Sequence, residues 1–342
     1  MKRRVLALVH DHLVPPRQTK GIDVREAEWK MEFDVIETLR EMGHQVRVRG
    51  VHDDLSGIRP TVASFNPHIV FNLLEAFAGV ATFDQNVVSY LELLRLPYTG
   101  CNPRGLILAR DKALSKQLLA LHRVPVPAFT VVRPGRKPVL PRKLGYPLIV
   151  KSLFFESSTG ISQASVVEND EQLAKRVTFV HEHLEMAAIV EQFIDGRELY
   201  VGVLGNERLE VLPVWEMSFS GMADNRWRIA TERVKWSTRY QKRHNIKTER
   251  ADLPDKVVET IQRLAKRAYR ALDLNGYARI DIRLDGDGRP YVIDVNPNPN
   301  LAYGEDFAES AEKAGVSYEA LLDRIIRLGL RWEPARTGSP TA

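Results

Sequence analysis

The chain has 342 residues, of which 44% are hydrophobic and 27% are charged. This is the composition of an ordinary soluble globular protein, and it excludes disordered, collagenous and fibrous classes. Lysine and arginine (49) exceed aspartate and glutamate (44) by five, and this mild basic excess leaves open a phosphate-bearing partner, either a nucleic acid or a nucleotide. At about 100–200 residues per domain, the length allows two or three structural units.

Short apolar segments and a single cysteine narrow the class further. Cys101 alone excludes an intrachain disulfide and a zinc site built on cysteine pairs. We interpret it as a small buried residue rather than a nucleophile, since nothing beside it lowers a thiol pKa. The apolar stretch 5–9 is too short for an export signal, and no run reaches the ~18 residues of a membrane span. We therefore expect a soluble, cytoplasmic protein.

Strand-like and helix-like segments alternate over the first hundred residues. Apolar runs at 5–9 and 69–74 predict buried strands, and 45–51 alternates as a strand. Helical spacing predicts helices over 28–42 and 87–94. This order indicates a small α/β domain with a mainly parallel sheet.

The pattern changes to shorter, mixed elements between residues 109 and 214, where we expect antiparallel strands. A helix is predicted over 109–121, and Asn169 provides the N-cap signal of a helix that ends near residue 184. The predicted strands of this segment are 129–132, 148–150, 161–167, 187–193, 198–204 and 209–214.

A long amphipathic helix over 253–272 opens the last part of the chain. Its basic face could contact nucleic acid, although a solvated outer face is the simpler interpretation. Strands at 277–284 and 291–295 form a predicted hairpin, and a final helix covers 321–330. Residues 333–342 are predicted to form a frayed tail.

The hairpin carries a group of polar side chains. Arg279, Asp281 and Arg283 alternate along one strand and share a face, as do Asp294 and Asn296 on the other. If the register places Asp281 opposite Asp294, three oxygen-bearing side chains converge, and such ligands suit a hard cation such as Mg²⁺. The alternative is a solvated hairpin, which the apolar residues between these positions disfavour, since covered acids need a cation or a basic partner.

A second group of residues is cationic. Lys112 begins the second unit, Lys151 ends a buried strand, and Lys235 lies further along the chain. The stretch 157–160 reads Ser-Ser-Thr-Gly, whose hydroxyls and amides could contact phosphate oxygens while the lysines neutralise their charge. The spacing of this stretch is not that of a Walker A loop, so neither the lysines nor the stretch 157–160 identifies a nucleotide site alone.

Together these segments resemble one family, in order and approximate spacing, over about residues 70–330. The matching segments are Tyr98-Thr-Gly100, Asp111-Lys112, the strand ending at Lys151, Ser157-Ser-Thr-Gly-Ile161, residues 191–198, Arg279-Ile-Asp281 and Asp294-Val-Asn296. The chain is similar to ATP-grasp carboxylate–amine ligases and nearest to the D-alanine–D-alanine ligases. The resemblance implies a mixed α/β ATP-grasp fold. It implies an N-terminal parallel α/β domain (1–110) and two ATP-binding subdomains (111–196 and 197–332).

The resemblance also implies roles for individual residues. Six would contact ATP: Lys112 and Lys151 at the phosphates, Ser157 in the loop above them, Glu191 and Phe193 at the adenine, and Glu198 at the ribose. Three would hold two Mg²⁺ ions, for which Mn²⁺ is an alternative: Asp281, Asp294 and Asn296. Three would act on the reacting groups: Arg279, Lys235 and Ser158.

The implied reaction joins a small-molecule carboxylate to an amine through an acyl phosphate. Phosphoryl transfer of this kind needs positioning and charge neutralisation more than a covalent nucleophile. The implied partners are therefore these small molecules, with neither nucleic acid nor membrane, and the family implies a homodimer. A catalytically silent ATP-binding regulatory module is the alternative, and it would be expected to lose metal or phosphate residues that this chain keeps.

The sequence departs from the D-alanine ligase pattern where the substrates would bind. Glu75 stands in the segment where the family has His-Gly, and Asn300 lies in a Pro-Asn-Pro-Asn segment after the metal strand. Glu305 takes the place of a serine that would meet a substrate carboxylate, so we expect a different, cationic amine. The acid that would meet a substrate ammonium is one of three glutamates: Glu26, Glu28 and Glu32.

Overall fold

The computed structural model describes residues 2–154, 158–223 and 226–334. The strands are β1 (Arg4–His10), β2 (Gln45–Val51), β3 (Ile69–Asn72), β4 (Phe129–Val132), β5 (Leu148–Ser152), β6 (Val166–Val167), β7 (Ala188–Gln192), β8 (Arg197–Leu204), β9 (Glu210–Ser218), β10 (Lys247–Arg250), β11 (Tyr277–Leu284) and β12 (Pro290–Pro297). The α-helices are α1 (Lys30–Glu41), α2 (Ile58–Phe65), α3 (Asp84–Leu93), α4 (Pro103–Arg110), α5 (Lys112–Leu121), α6 (Asp170–His183), α7 (Glu232–Trp236), α8 (Thr238–Arg243), α9 (Asp255–Ala271), α10 (Asp306–Lys313) and α11 (Tyr318–Arg331).

The N-terminal strands form a parallel sheet in the order β2-β1-β3. Residues 5–9 of the central strand are completely buried, because helices cover both faces of a parallel sheet and leave no polar side. One face packs on α1 and α11 through Val35, Ile36 and Ile325. The carboxyl ends of these strands and the N-terminus of α1 lie at the same edge of the domain, as βα connectivity requires.

Two antiparallel sheets follow. The first has the order β4-β7-β5-β6, and its core contains α6 through Leu173 and Val177. The second has the order β10-β9-β8-β11-β12, and α9 covers one of its faces with Ile261, Leu264 and Ala265. The apolar stripe of α9 that the sequence indicated is thus the contact face with this sheet.

Most predicted elements are confirmed, but two are wrong. The helix predicted over 109–121 is divided at Asp111, whose backbone is extended and whose carboxylate accepts hydrogen bonds from the amides of Ala113 and Leu114, both at 2.9 Å. Asp111 is therefore the N-cap of a new helix, α5. The strand predicted over 161–167 shrinks to β6, because a 3₁₀ turn at Gln163–Ser165 precedes it.

Among the described residues, four α-helices and one strand have no counterpart in the sequence prediction: α2 (Ile58–Phe65), α7 (Glu232–Trp236), α8 (Thr238–Arg243), α10 (Asp306–Lys313) and β10 (Lys247–Arg250). The predicted domain boundaries at residues 110, 196 and 332 stay a prediction. Within the described ranges, no helix combines the length and the apolar character needed to cross a membrane.

Cys101 is buried, as expected of a cysteine with no neighbour that lowers its pKa. Burial raises the pKa of its thiol to about 12. Its amide donates to Oδ1 of Asn298 at 2.8 Å, which ties the loop after β12 to the start of α4. Gly100 permits this approach: its φ is +96°, and a Cβ there would lie 2.5 Å from the same oxygen. This contact holds the Pro-Asn-Pro-Asn segment after β12 in place.

Candidate active site

A pocket lies between the two antiparallel sheets. It is bordered by β5 and β7 on one side and by β8, β11 and β12 on the other. Ten residues that the sequence analysis selected line it: Lys112, Lys151, Ser158, Glu191, Phe193, Glu198, Lys235, Asp281, Asp294 and Asn296. Since these side chains come from segments spread between residues 112 and 296, the tertiary structure brings together most of the predicted site.

The register of the last hairpin determines which acidic side chains lie together at one end of this pocket. Asp281 of β11 pairs directly with Asp294 of β12, and Arg279 pairs with Asn296, as the sequence hypothesis required. The register then shifts, so that Ile282 pairs with Val292 and Ile293 is an extra residue, a β-bulge. Two carboxylates and one carboxamide therefore lie at one end of the pocket.

Arg279 lies beside the pocket rather than in its lining. Its guanidinium forms a bidentate ion pair with Asp281, at 2.7 and 3.0 Å, and lies over the ring of Tyr200 at 4.8 Å. A second carboxylate, that of Asp306, is 3.8 Å away. Although burial alone would lower it, these acids hold the pKa of Arg279 above its ordinary value. Arg279 is thus a fixed positive charge at the acidic end.

The residues at this end fit a hard cation. Asp281, Asp294 and Asn296 offer only oxygen ligands, and the described residues contain no cluster of three or more histidine, cysteine, aspartate or glutamate side chains that would suit a softer metal. The Asn296 amide nitrogen is buried without a hydrogen-bond partner among those residues. Arg279 contacts both oxygens of Asp281, but a carboxylate has about four lone-pair sites and keeps capacity for a metal. Mg²⁺ commonly takes one or two carboxylates and completes its shell with water and phosphate oxygens.

Lysines from three elements face these acids. The Asp111 cap places Lys112 at the first position of α5, Lys151 extends from β5, and Lys235 lies on α7. Burial tends to raise the pKa of Asp294, but the lysines outweigh it and lower that pKa. The pKa of Lys235 is lowered, first by burial and then by the positive charge of Arg279. The pocket therefore concentrates positive charge beside an ionised acid.

Glu191 is enclosed by two lysines, one of which the sequence analysis missed. Its Oε2 lies 3.1 Å from Nζ of Lys151, and its Oε1 lies 3.4 Å from Nζ of Lys116. Burial would raise the pKa of Glu191, but the two ammonium groups lower it, so the carboxylate is ionised. The signal for Lys116 was its spacing of four residues from Lys112, which places both on one face of α5.

A buried ion pair forms the wall next to Phe193. Arg283 donates to the carbonyl oxygens of Ile194 (3.1 Å) and Arg228 (2.8 Å) and lies 3.4 Å from the Glu198 carboxylate. Its guanidinium is also 5.3 Å from the centre of the Phe193 ring. Arg283 also lines the pocket, a position that its place in the sequence, on one strand face with Asp281, does not predict. Glu198 is consequently fixed in position before any ligand binds.

Two segments from different parts of the chain meet over the pocket. Ser158 lies in a turn that it forms with Ile161, and the Gly160 amide donates to the Glu232 carboxylate of α7 at 3.1 Å. The loop with Ser158 and the helix with Lys235 are thereby linked. The other predicted loop residue, Ser157, lies outside the described residues.

The three predicted substrate residues do not line this pocket. Glu75 follows β3, where its amide donates to Nε2 of His10 at 3.1 Å, and its side chain is exposed. Asn300 accepts from the amide of Ala302 at 2.7 Å, and Glu305 precedes α10 as an exposed residue. They lie instead on segments between the parallel sheet and the acidic end of the pocket.

The start of α1 contacts the loop between β12 and α10. Lys30 donates to the carbonyl oxygen of Tyr303 at 2.5 Å, and the Tyr303 amide donates to Asp34 at 2.9 Å. Among the three glutamates considered for a substrate ammonium, Glu32 is buried and neither of its oxygens has a hydrogen-bond partner in the described residues. Burial, reinforced by the charge of Glu75, raises the pKa of Glu32 to about 7. Glu26 and Glu28 lie before α1, outside the buried core.

Comparison with known proteins gives a consistent result. Residues 118–327 match the family model described as the D-ala D-ala ligase C-terminus. The chain is 31% identical over 305 residues to the uncharacterized protein y4sG of Sinorhizobium fredii, which covers 87% of this chain and 86% of that protein. It is 30% identical over 307 residues to the D-alanine–D-alanine ligase of Desulforudis audaxviator, with 89% and 94% covered. The solved structure of the D-alanine–D-alanine ligase from Bacillus anthracis complexed with ATP has a TM-score of 0.72 at 21% identity. It covers 96% of this chain and 98% of that chain, and this likeness confirms the predicted fold.

Proposed function

Because this chain belongs to the D-alanine–D-alanine ligase family, we propose that it is an ATP-dependent ligase that joins a carboxylate to an amine and releases ADP and phosphate. The observation that carries this proposal is the pairing of Asp281 with Asp294 at one end of a pocket whose other walls present lysines. A polyphosphate with bound Mg²⁺ needs both kinds of charge at once, and a solvated hairpin needs neither.

The nucleotide would occupy the pocket with its phosphates toward the lysines. Lys112, Lys151 and Lys235 would neutralise phosphate charge, and Ser158 would contact phosphate oxygens from the loop above. Glu191 and Phe193 would border the adenine. Glu198, held by Arg283, would accept hydrogen bonds from the ribose hydroxyls. The ATP-complexed structure of the Bacillus anthracis relative supports nucleotide binding by this fold.

At the acidic end, Asp281, Asp294 and Asn296 would hold Mg²⁺, which when bound neutralises charge on the phosphate oxygens. Arg279 would orient the reacting carboxylate and stabilise the negative charge that develops during its attack on the γ-phosphorus. That attack forms the acyl phosphate and releases ADP. The amine then attacks the acyl carbon, and phosphate leaves as the amide forms.

Water must be excluded while the acyl phosphate exists, since hydrolysis would otherwise consume it. The hydrogen bond between Gly160 and Glu232 supports this function, because it links the loop over the phosphates to the helix that carries Lys235. The two linked segments would cover the transferred phosphoryl group together. Lys235, whose pKa is lowered, would contact that group from the same cover.

We propose further that the amine substrate is cationic rather than D-alanine. Glu305 and Asp306 stand next to each other at the acidic end, and Arg279 already carries a bidentate pair with Asp281. Burial raises the pKa of Asp306, Arg279 opposes this rise, and Asp281 adds to it. Arg279 already pairs with both Asp281 and Asp306, so the neighbouring Glu305 leaves an excess of acid around this arginine. A substrate carboxylate would add to that excess, whereas a second ammonium group would reduce it.

ADP formation tests the proposal directly. The protein would be incubated with ATP, Mg²⁺ and either D-alanine, other amino acids or diamines, and the amide product would be identified by mass spectrometry. We expect amine-dependent ADP formation that Lys151→Met abolishes and that the exposed control Lys175→Met leaves unchanged. Absence of turnover with every amine would contradict the ligase assignment, and preference for D-alanine alone would contradict only the cationic amine.

A further inference from the structure

Lys116 is a buried lysine that does not line the pocket. Its side chain is 3% exposed, and it lies on α5 behind the wall formed by Glu191 and Ile293. A buried ammonium group is costly unless hydrogen-bond acceptors surround it. The two partners of Lys116, one an ion pair and one a hydrogen-bond acceptor, belong to different sheets, and each of them is part of the pocket lining.

The first partner is the carboxylate of Glu191 on β7, whose Oε1 forms an ion pair with Nζ of Lys116 at 3.4 Å. The second is the backbone carbonyl of Ile293 on β12, to which Nζ donates at 2.5 Å. Lys116 therefore connects the four-stranded sheet to the five-stranded sheet from behind the nucleotide pocket. Its pKa is lowered by burial and is partly restored by the charge of Glu191.

Ile293 is the extra residue of the bulge in β12. In a regular strand, successive side chains point to opposite faces, yet Ile293 and its neighbour Asp294 both line the pocket. The bulge thus turns Asp294 into the site and keeps it opposite Asp281. Bulges re-aim side chains in this way, and the carbonyl that they leave outside the ladder needs another partner.

The segment after α5 holds the preceding residue of β12 as well. The amide of Val292 donates to the carbonyl oxygen of Pro125 at 2.9 Å. Consequently, α5 and the turn that follows it fix two successive residues of β12, one on each side of the peptide bond where the register shifts. Lys116 supplies the contact nearer to Asp294.

We propose that Lys116 is a positioning residue that holds the bulge of β12 and the Glu191 carboxylate, and thereby sets the metal-facing orientation of Asp294. The expected effect on ADP formation rests on the proposed ligase function, whereas the structural role of Lys116 in β12 does not. Lys116 acts through Ile293 and Glu191, and the nucleotide contacts belong to Lys112 and Lys151.

Replacement by methionine tests this role, because Lys116→Met preserves chain length and much of the volume while it removes the donors. We expect amide hydrogen exchange to increase about tenfold in β12 relative to β1. We also expect the Mg²⁺ concentration for half-maximal ADP formation to rise about 10- to 100-fold, as is typical when a partner of a metal ligand is removed. Lys116→Arg keeps the charge and donors and should restore both readouts to within about threefold.

Lys175→Met, which removes an exposed lysine paired within α6, is the matched control and should change neither readout. Unchanged exchange in β12 and unchanged Mg²⁺ dependence in Lys116→Met would overturn the inference. An equal rise of exchange in β1 and β12 would also overturn it, since that result describes general loss of stability. If the wild-type protein forms no ADP, the proposed ligase function fails, and the exchange comparison still decides whether Lys116 holds β12.

Discussion

Replacing Glu191 with glutamine removes the negative charge that two buried lysines share. The carboxylate oxygens lie 3.4 Å from Nζ of Lys116 and 3.1 Å from Nζ of Lys151. Glu191 is 1% exposed, so water cannot take over these contacts in the absence of nucleotide. Glutamine has nearly the same shape and keeps one acceptor oxygen. The substitution therefore tests the electrostatic role of the side chain.

The magnitude follows from the two distances. At an effective dielectric constant of about 20, each attraction is worth about 5 kcal/mol. The desolvation of the carboxylate and the hydrogen bond that the amide oxygen retains offset much of this sum. Removing one partner of a buried ion pair costs about 3–5 kcal/mol, and we expect about 4 kcal/mol for Glu191→Gln at pH 7. The midpoint of thermal unfolding should fall by roughly 10 °C.

The difference in the free energy of unfolding between the wild type and Glu191→Gln should shrink as the pH rises. Burial already lowers the pKa of Lys116 in the wild-type protein, and loss of Glu191 lowers it further. The pKa of Lys151, which Glu191 helps to raise, should also fall. A lysine with a folded-state pKa below its unfolded-state pKa binds fewer protons in the folded protein, so stability increases with pH between those two values. The variant should therefore recover part of its stability between pH 7 and pH 10.

Urea unfolding of both proteins at pH 7 and pH 9 measures this effect. Glu216→Gln provides the control, because Glu216 pairs with Arg197 on a partly exposed strand and its loss should cost less than about 1 kcal/mol. A Glu191→Gln protein within about 1 kcal/mol of the wild type at pH 7 would refute the reasoning. A deficit that grows toward pH 9 would refute it equally, since the sign of the proton linkage would be reversed.

The remaining predictions concern turnover, amine specificity and the stability contributed by a buried ion pair. Asp281→Asn and Asp294→Asn should each lower ATP turnover about 100-fold in a phosphate-release assay, and retention of more than a third of the activity would contradict their metal role. Glu305→Gln should lower kcat/KM for diamines about tenfold relative to neutral amines, and an equal change for both would remove Glu305 from specificity. Arg110→Met breaks the buried ion pair with Asp84 and should cost about 3–5 kcal/mol of stability, whereas an unchanged unfolding midpoint would show that the pair is dispensable.

The sequence was sufficient for the hairpin because its information is local. Strands β11 and β12 are joined by a short turn, so alternation and turn length together define which residues face each other. Counted from the turn, where Leu284 pairs with Pro290, that rule alone would place Asp281 opposite Ile293, and the bulge at Ile293 moves Asp281 opposite Asp294. The bulge cannot be predicted from the hairpin, because its stabilising contacts come from Lys116 and Pro125, far away along the chain.

The boundary between α4 and α5 also shows what the sequence pattern predicts and what only the structure reveals. The apolar periodicity runs through Asp111 without interruption, and only the capping hydrogen bonds to Ala113 and Leu114 reveal that the helix restarts there. The restart matters for the site because it places Lys112 at a helix N-terminus that faces the pocket. Here the sequence contained the signal, an aspartate ahead of a helical segment, but periodicity outweighed it.

The sequence by itself determined the fold class, the family and the chemical types at the pocket between the two antiparallel sheets, since these depend on hydrophobic spacing and on short motifs. The tertiary structure decided which charges meet. Lys116 and Glu191 are 75 residues apart, and their contact exists only because α5 packs behind two sheets. It also separated Glu75, Asn300 and Glu305 from the pocket lining. Burial and the distance between two charged groups set their interaction energy and their pKa values, and neither burial nor distance is defined until distant segments have packed together.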